Sequence, residues 1–322
     1  MSTFTERTYT SKDGLKLYYR DYAGPDGAPF TVLCLPGLTR NSRDFEDVAA
    51  HLSAHYRVLC ADFRGRGKSE YAKDPMTYVP PKYAEDMGRL LDAAGVDEAV
   101  FIGTSLGGLV SMISANVMRH RVKAIVMNDV GPDIDPEGIA RIRTYLGKPA
   151  SHTTWEDAAR AMMVLNGRIY PDWVFSDWMT MARRAWAQQP DGTIKPDYDP
   201  NIAVPFNTQG PVAVDLWPMF RGLNGIPLLV VRGGTSDILS AASLANMHAA
   251  VPAMRSVEVP GIGHAPFLME PAAREAIAAF LNDQPATPRG LVGRIITRIR
   301  KRAASVLHLA RILKAYRTQK AA

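Results

Sequence analysis

The chain has 322 residues, 47% hydrophobic and 22% charged, enough to bury a large core, with no run of about 20 apolar residues to suggest a spanning helix. Its formal charge of +6 is uneven: residues 284–322 hold ten Lys and Arg and no acid, leaving 28 Lys and Arg against 32 Asp and Glu in residues 1–283, a net of −4. An anionic partner is therefore a matter for the tail alone, and the body gives no reason to expect nucleic acid.

The N-terminus, MSTFTERTYT, lacks the apolar stretch of a signal peptide. Phe4–Thr10 and Lys16–Tyr22 read as a hairpin about Asp13-Gly14. Phe30–Leu35 and Tyr56–Ala61 are short, nearly all-apolar runs, the pattern of strands covered on both faces. A short helix is expected over Phe45–Leu52 and a longer one over Tyr83–Ala94, stopped by Gly95. Cys34 and Cys60 fall inside the two strands, as small buried hydrophobes in a reducing compartment, and no His/Cys spacing suggests a metal site. The expected location is cytoplasmic.

Next comes Ala99–Val110, AVFIGTSLGGLV. Its centre, Gly103-Thr104-Ser105-Leu106-Gly107, fits G-x-S-x-G, a strand reversing sharply into a helix with a serine at the apex. Glycines two positions either side keep side chains off the bend, and the helix N-terminus favours negative charge developing there. The helix should run Leu106–Val117, followed by a buried strand over Val122–Met127. To this point strands and helices alternate, so parallel pairing is expected.

The alternation breaks between Gly131 and Pro218. Helices are expected over Pro136–Tyr145, Thr154–Asn166 and Asp172–Ala187, then a Pro- and Asp-rich segment, Gln189–Pro205. All five Trp residues (155, 173, 178, 186 and 217) lie here, and such an insertion between sheet strands reads as a cap over a site. Most of the Trp side chains should bury the cap, with one or two lining an apolar pocket. The cap arginines 141, 143, 160, 168, 183 and 184 are expected mainly on solvated helix faces. The sheet resumes at Pro227–Val231, a helix follows over Ser240–Ala250, and Met254–Val259 is the last strand before the helix Pro271–Leu281.

A serine nucleophile needs a base and a group to orient it. His264, in Gly261-Ile262-Gly263-His264-Ala265-Pro266, follows the last strand, and Asp237, in Gly233-Gly234-Thr235-Ser236-Asp237, follows the one before. Both loops belong at the carboxyl end of a parallel sheet, where ligands bind. The expected relay is Ser105, His264, Asp237. Asp129, after the strand Val122–Met127, is the alternative acid. The oxyanion donors should be the backbone N–H groups of Leu106 and of Leu38, in the loop Pro36-Gly37-Leu38.

These motifs, together with Asp62-Phe63-Arg64-Gly65-Arg66-Gly67-Lys68-Ser69, resemble those of cap-bearing α/β-hydrolases from about residue 5 to residue 283. The resemblance implies an α/β-hydrolase fold: a mostly parallel central sheet with helices on both faces, a helical cap, and here a C-terminal amphipathic helix. The implied division is core over 1–130, cap over 131–218, core over 219–283, and linker plus tail over 284–322. Arg64 is implied to be structural. The family usually has His where this chain has Pro36 and often where it has Thr104, so hydrogen bonding around the nucleophile must differ.

Serine rather than aspartate at the elbow implies acyl-enzyme chemistry, and the aromatic cap favours a small to medium, largely apolar ester cleaved by a carboxylesterase without metal or organic cofactor. A lactone or enol-lactone and a β-diketone C–C bond are the alternative substrates. An acyltransferase or a non-catalytic binding protein are the readings of another class. In the tail, Val292, Ile295, Ile296, Ile299, Val306, Leu307 and Leu313 recur at helical spacing over an expected helix, Gly290–Tyr316, with cations mostly elsewhere around the axis. Residues 289–318 thus suit self-association, packing on the body or an anionic membrane surface.

Overall fold

The computed structural model describes residues 3–208 and 215–287; the expected tail helix lies outside them. Strands β1 (Thr5–Thr10) and β2 (Lys16–Tyr22) pair antiparallel from Thr5 opposite Asp21 to Thr10 opposite Lys16, closing on the Asp13-Gly14 turn. Strands β3 (Thr31–Leu35), β4 (Arg57–Ala61), β5 (Ala99–Thr104) and β6 (Val122–Asn128) follow. They are separated by α1 (Glu46–Leu52), α2 (Pro80–Ala93) and α3 (Leu106–Val117). Helix α2 starts three residues before the expected Tyr83, because Pro80 and Pro81 occupy its first turn, where a missing N–H removes no helical bond.

The cap region contains α4 (Pro136–Tyr145), α5 (Trp155–Asn166), α6 (Phe175–Ala185), the two-stranded ribbon β7 (Trp186–Gln188) and β8 (Ile194–Pro196), and α7 (Ala203–Thr208). After α8 (Trp217–Arg221) the core resumes with β9 (Leu228–Gly233), α9 (Ala241–Ala250), β10 (Arg255–Val259) and α10 (Pro271–Asn282). Eight strands form one sheet in the order β1-β2-β4-β3-β5-β6-β9-β10. It is antiparallel as far as β4 and parallel from there on.

Alternate residues of the central strands feed two apolar layers. Leu33, Phe101, Ile125 and Met127 pack with Met87, Leu90 and Met112 of α2 and α3. Cys34, Val100, Ile102 and Val126 pack on the other side with Val48 of α1 and Ile277 and Phe280 of α10. Cys34 and Cys60 lie opposite each other in register as free, fully buried thiols, and burial pushes the Cys60 thiol well above its ordinary range. A third cluster, including Ala158, Met162, Trp178, Met181 and Trp186, is the cap's own core.

Arg64 has the structural place the resemblance implied. It is fully buried and donates Nε and Nη2 to Asp86 and Nη1 and Nη2 to Asp13, all within 2.7–2.9 Å. Burial pushes the Asp86 carboxyl upward, and the Arg64 guanidinium only partly offsets this. Arg64→Ala would leave the Asp86 charge buried and unpaired, and is expected to cost about 3–5 kcal/mol in urea unfolding.

The cap is tied to the loops that follow β3 and β4. Arg43 donates Nε to the Arg184 carbonyl, and Nη2 to the Trp186 carbonyl and to Asp197. The Gly67 N–H donates to the Asp197 carbonyl, the Asp199 N–H to the Gly65 carbonyl, and the Tyr78 hydroxyl to Asp199 Oδ2 at 2.6 Å.

Candidate active site

Strand β5 ends in the sharp turn the glycines anticipate. Ser105 has φ 51° and ψ −114°, a strained backbone for a residue with a side chain, and its carbonyl accepts from the N–H groups of Gly108 and Leu109. The crossing is tight: a Cβ on Gly103 would lie 2.3 Å from the Gly107 carbonyl oxygen, and one on Gly107 would lie 2.1 Å from the Leu35 carbonyl oxygen. These contacts leave room only for glycine and fix the height of Ser105 above the sheet. The Leu106 N–H opens α3 and has no intrahelical acceptor. Leu38 and Gly37 line the same cavity as Ser105.

Ser105 Oγ lies 2.9 Å from His264 Nε2. The other ring nitrogen, Nδ1, lies 2.8 Å from Asp129 Oδ2. An ionised carboxylate only accepts, so Nδ1 carries the hydrogen, and Nε2 is left to accept from the serine hydroxyl. Asp129 is fully buried. It stands immediately beyond β6 with φ 55°, which turns its side chain off the strand line. Its Oδ1 accepts from the Gly233 N–H at 2.8 Å and its Oδ2 also accepts from Ser236 Oγ at 2.6 Å. Three donors therefore converge on one buried carboxylate and hold it aimed at the histidine.

Asp237, the acid expected from chain order, is turned elsewhere. Both its oxygens accept from Arg141 of α4, Oδ2 from Nε at 2.5 Å and Oδ1 from Nη2 at 2.8 Å. The cause is local. Ser236 Oγ accepts the N–H groups of Ile238 and Leu239 while donating to Asp129, and this winds the turn so that Asp237 faces the cap. Burial pushes the Asp237 carboxyl up, but Arg141 outweighs it, aided by nearby His264, and the group sits below its ordinary range. The structure thus brings together Ser105, His264 and the alternative acid Asp129, and gives Asp237 to a cap arginine.

Thr104, where the resemblance implied a histidine, also finds a partner. Thr104 Oγ1 accepts from Asn128 Nδ2 at 3.0 Å, and the same amide donates to the Pro266 carbonyl at 2.7 Å. This amide links the nucleophile strand to the histidine loop.

The cavity over Ser105 measures about 190 Å³. Its apolar wall includes Ile142, Met162, Tyr170, Met181, Trp186 and Phe267. Trp186 is the one tryptophan among them; Trp178 is buried within the cap, and Trp217 donates Nε1 to Asp133 on the core side. The remaining wall carries Arg40, Arg141 and Lys148. The cap arginines were expected mainly on solvated faces, and Arg141 lines the cavity instead; no motif in the sequence marked Arg40 or Lys148. Arg40 is recognisable only by its partner four residues on, Asp44, which accepts from its Nε and Nη2 at 2.6 and 2.5 Å.

A family profile described as alpha/beta hydrolase fold matches residues 31–271. The chain belongs to the α/β-hydrolase family. An α/β-hydrolase from Novosphingobium aromaticivorans of known crystal structure is 48% identical, covers 88% of this chain and 99% of its own, and superposes with a TM-score of 0.82. The 3-hydroxybutyrate-oligomer hydrolase of Cupriavidus necator is 36% identical over 276 residues, which are 80% of this chain and 89% of that one. The 2-(acetamidomethylene)succinate hydrolase of Mesorhizobium japonicum is 30% identical over 233 residues, 72% of this chain and 81% of its own.

Proposed function

We propose that this α/β-hydrolase is a serine esterase that cleaves short linear esters of 3-hydroxy acids, with 3-hydroxybutyrate oligomers as the substrate class. The observation that carries the chemistry is the continuous relay from Ser105 Oγ through His264 to buried Asp129. Similarity to the C. necator hydrolase supports the substrate class.

In this reading His264 Nε2 takes the Ser105 proton as Oγ attacks the ester carbonyl. Asp129 keeps the proton on Nδ1 and stabilises the imidazolium. The backbone N–H groups of Leu106 and Leu38 hold the oxyanion. The imidazolium protonates the departing alcohol, the ester C–O bond breaks, and water repeats the sequence on the acyl-enzyme. Asp237, paired with Arg141, takes no part in proton transfer.

The test is hydrolysis of linear 3-hydroxybutyrate dimer and trimer by the purified full chain, followed by chromatography of the released acid, beside simple acyl esters, a lactone and a β-diketone. Release of 3-hydroxybutyrate at a kcat/KM at least tenfold above that for the simple esters is the expected result. Intact oligomers beside a cleaved lactone or β-diketone would move the assignment to those bonds. Transfer to an added alcohol without hydrolysis would make the protein an acyltransferase.

A further inference from the structure

The cavity wall carries more positive charge than its own acids neutralise. Arg40 and Arg141 are each gripped side-on by a carboxylate, through Nε and Nη2 in both cases. This fixes the two guanidinium planes and leaves each Nη1 outside the pair, without a hydrogen bond to the described residues. Lys148 lines the same cavity, and its ammonium makes no ion pair or hydrogen bond among the described residues. It stands just past the end of α4 on an exposed turn, its backbone N–H donating to the Tyr145 carbonyl. A fixed pair of arginines and one unclaimed ammonium around a nucleophile make a seat for a substrate anion.

We propose that Lys148, with the Nη1 edges of Arg40 and Arg141, receives a carboxylate carried by the ester substrate, so that the enzyme selects free-acid esters over neutral ones. This rests on the esterase reading and deepens it. In a linear 3-hydroxy acid dimer the free carboxylate lies on the leaving-alcohol side of the ester. Seating it would hold the scissile carbonyl against Ser105 while the apolar wall takes the methyl-bearing acyl unit. On this account the Asp237–Arg141 pair is a specificity device, and Lys148 supplies the charge that a neutral ester would leave unmatched.

Binding can be read apart from turnover. In a Ser105→Ala background, calorimetric titration with the free-acid 3-hydroxybutyrate dimer and with its methyl ester measures the preference for the acid. Adding Lys148→Ala is expected to weaken binding of the acid about five- to tenfold, the scale of a partly exposed charge-assisted contact, and to lower the acid-to-ester ratio by the same factor. Lys148→Arg should restore the ratio. Arg143→Ala, which removes a charge from α4 outside the cavity wall, should preserve it. An acid-to-ester ratio unchanged by Lys148→Ala, no preference in the parent, or no binding of the acid would each overturn the proposal. Failure of the wild-type chain to hydrolyse any dimer would instead count against the esterase reading, whatever the titrations give.

Discussion

Asparagine in place of Asp129 is expected to lower kcat on 3-hydroxybutyrate dimer by about 10⁴-fold, whereas Asp237→Asn should keep kcat within about tenfold of wild type. The carboxamide presents an N–H or a single carbonyl where Asp129 now accepts from His264, Gly233 and Ser236. With the amide nitrogen facing Nδ1, the imidazole protonates on Nε2 and can no longer take the serine proton. Asp237→Asn loses the charge that holds Arg141, so its effect should fall on KM. Steady-state kinetics on both variants, normalised to titrated active sites, decides between them. A 10⁴-fold loss in Asp237→Asn with a mild effect in Asp129→Asn would return the acid to the position expected from chain order.

Ser105→Ala should remove about 10⁶-fold of kcat, since the relay has no function without its nucleophile. A residual rate of roughly 10³–10⁴-fold over water is expected from the backbone oxyanion donors and from binding. The variant should fold normally, because among the described residues Ser105 Oγ bonds only to His264, and alanine would have to adopt the same φ of 51° that serine already does. A fluorophosphonate should label the wild-type chain at Ser105, seen by mass spectrometry of the peptide, and leave Ser105→Ala unlabelled. Hydrolysis persisting in Ser105→Ala at near wild-type rate would remove the acyl-enzyme from the mechanism.

The elbow was legible because its geometry leaves so few residue choices. Only glycine fits where Gly107 meets the Leu35 carbonyl, and that necessity is written in the sequence. The histidine was legible from its place after the last strand. The acid was not, because two aspartates follow neighbouring strands and the choice depends on which way a turn winds. Ser236 decides it by accepting two backbone N–H groups while donating to Asp129, and a serine beside an aspartate carries no such message by itself.

The cap was readable as helices and misread where it pairs. A helix was expected as far as Ala187 and a Pro- and Asp-rich segment over Gln189–Pro205, yet the helix ends at Ala185, and Trp186–Gln188 and Ile194–Pro196 form a ribbon about Asp191-Gly192. The Pro190-Asp191-Gly192 turn was the available signal. The charged wall was hidden for another reason. Arg141 lies on α4 and Lys148 just past its end, but Arg40 comes from the loop after β3, and nothing in the sequence says that it joins them.

The ties from Arg43, Gly65, Gly67 and Tyr78 to the cap carry a kinetic consequence. A cap bonded along that whole edge cannot swing away as a rigid lid without breaking several hydrogen bonds together. The cavity nevertheless meets the surface beside Lys148 and Leu165, which line it and are themselves exposed. Exposed side chains reorient in picoseconds to nanoseconds, far faster than domain hinging. A site reached past such side chains needs no hinge motion of the cap to admit its ligand.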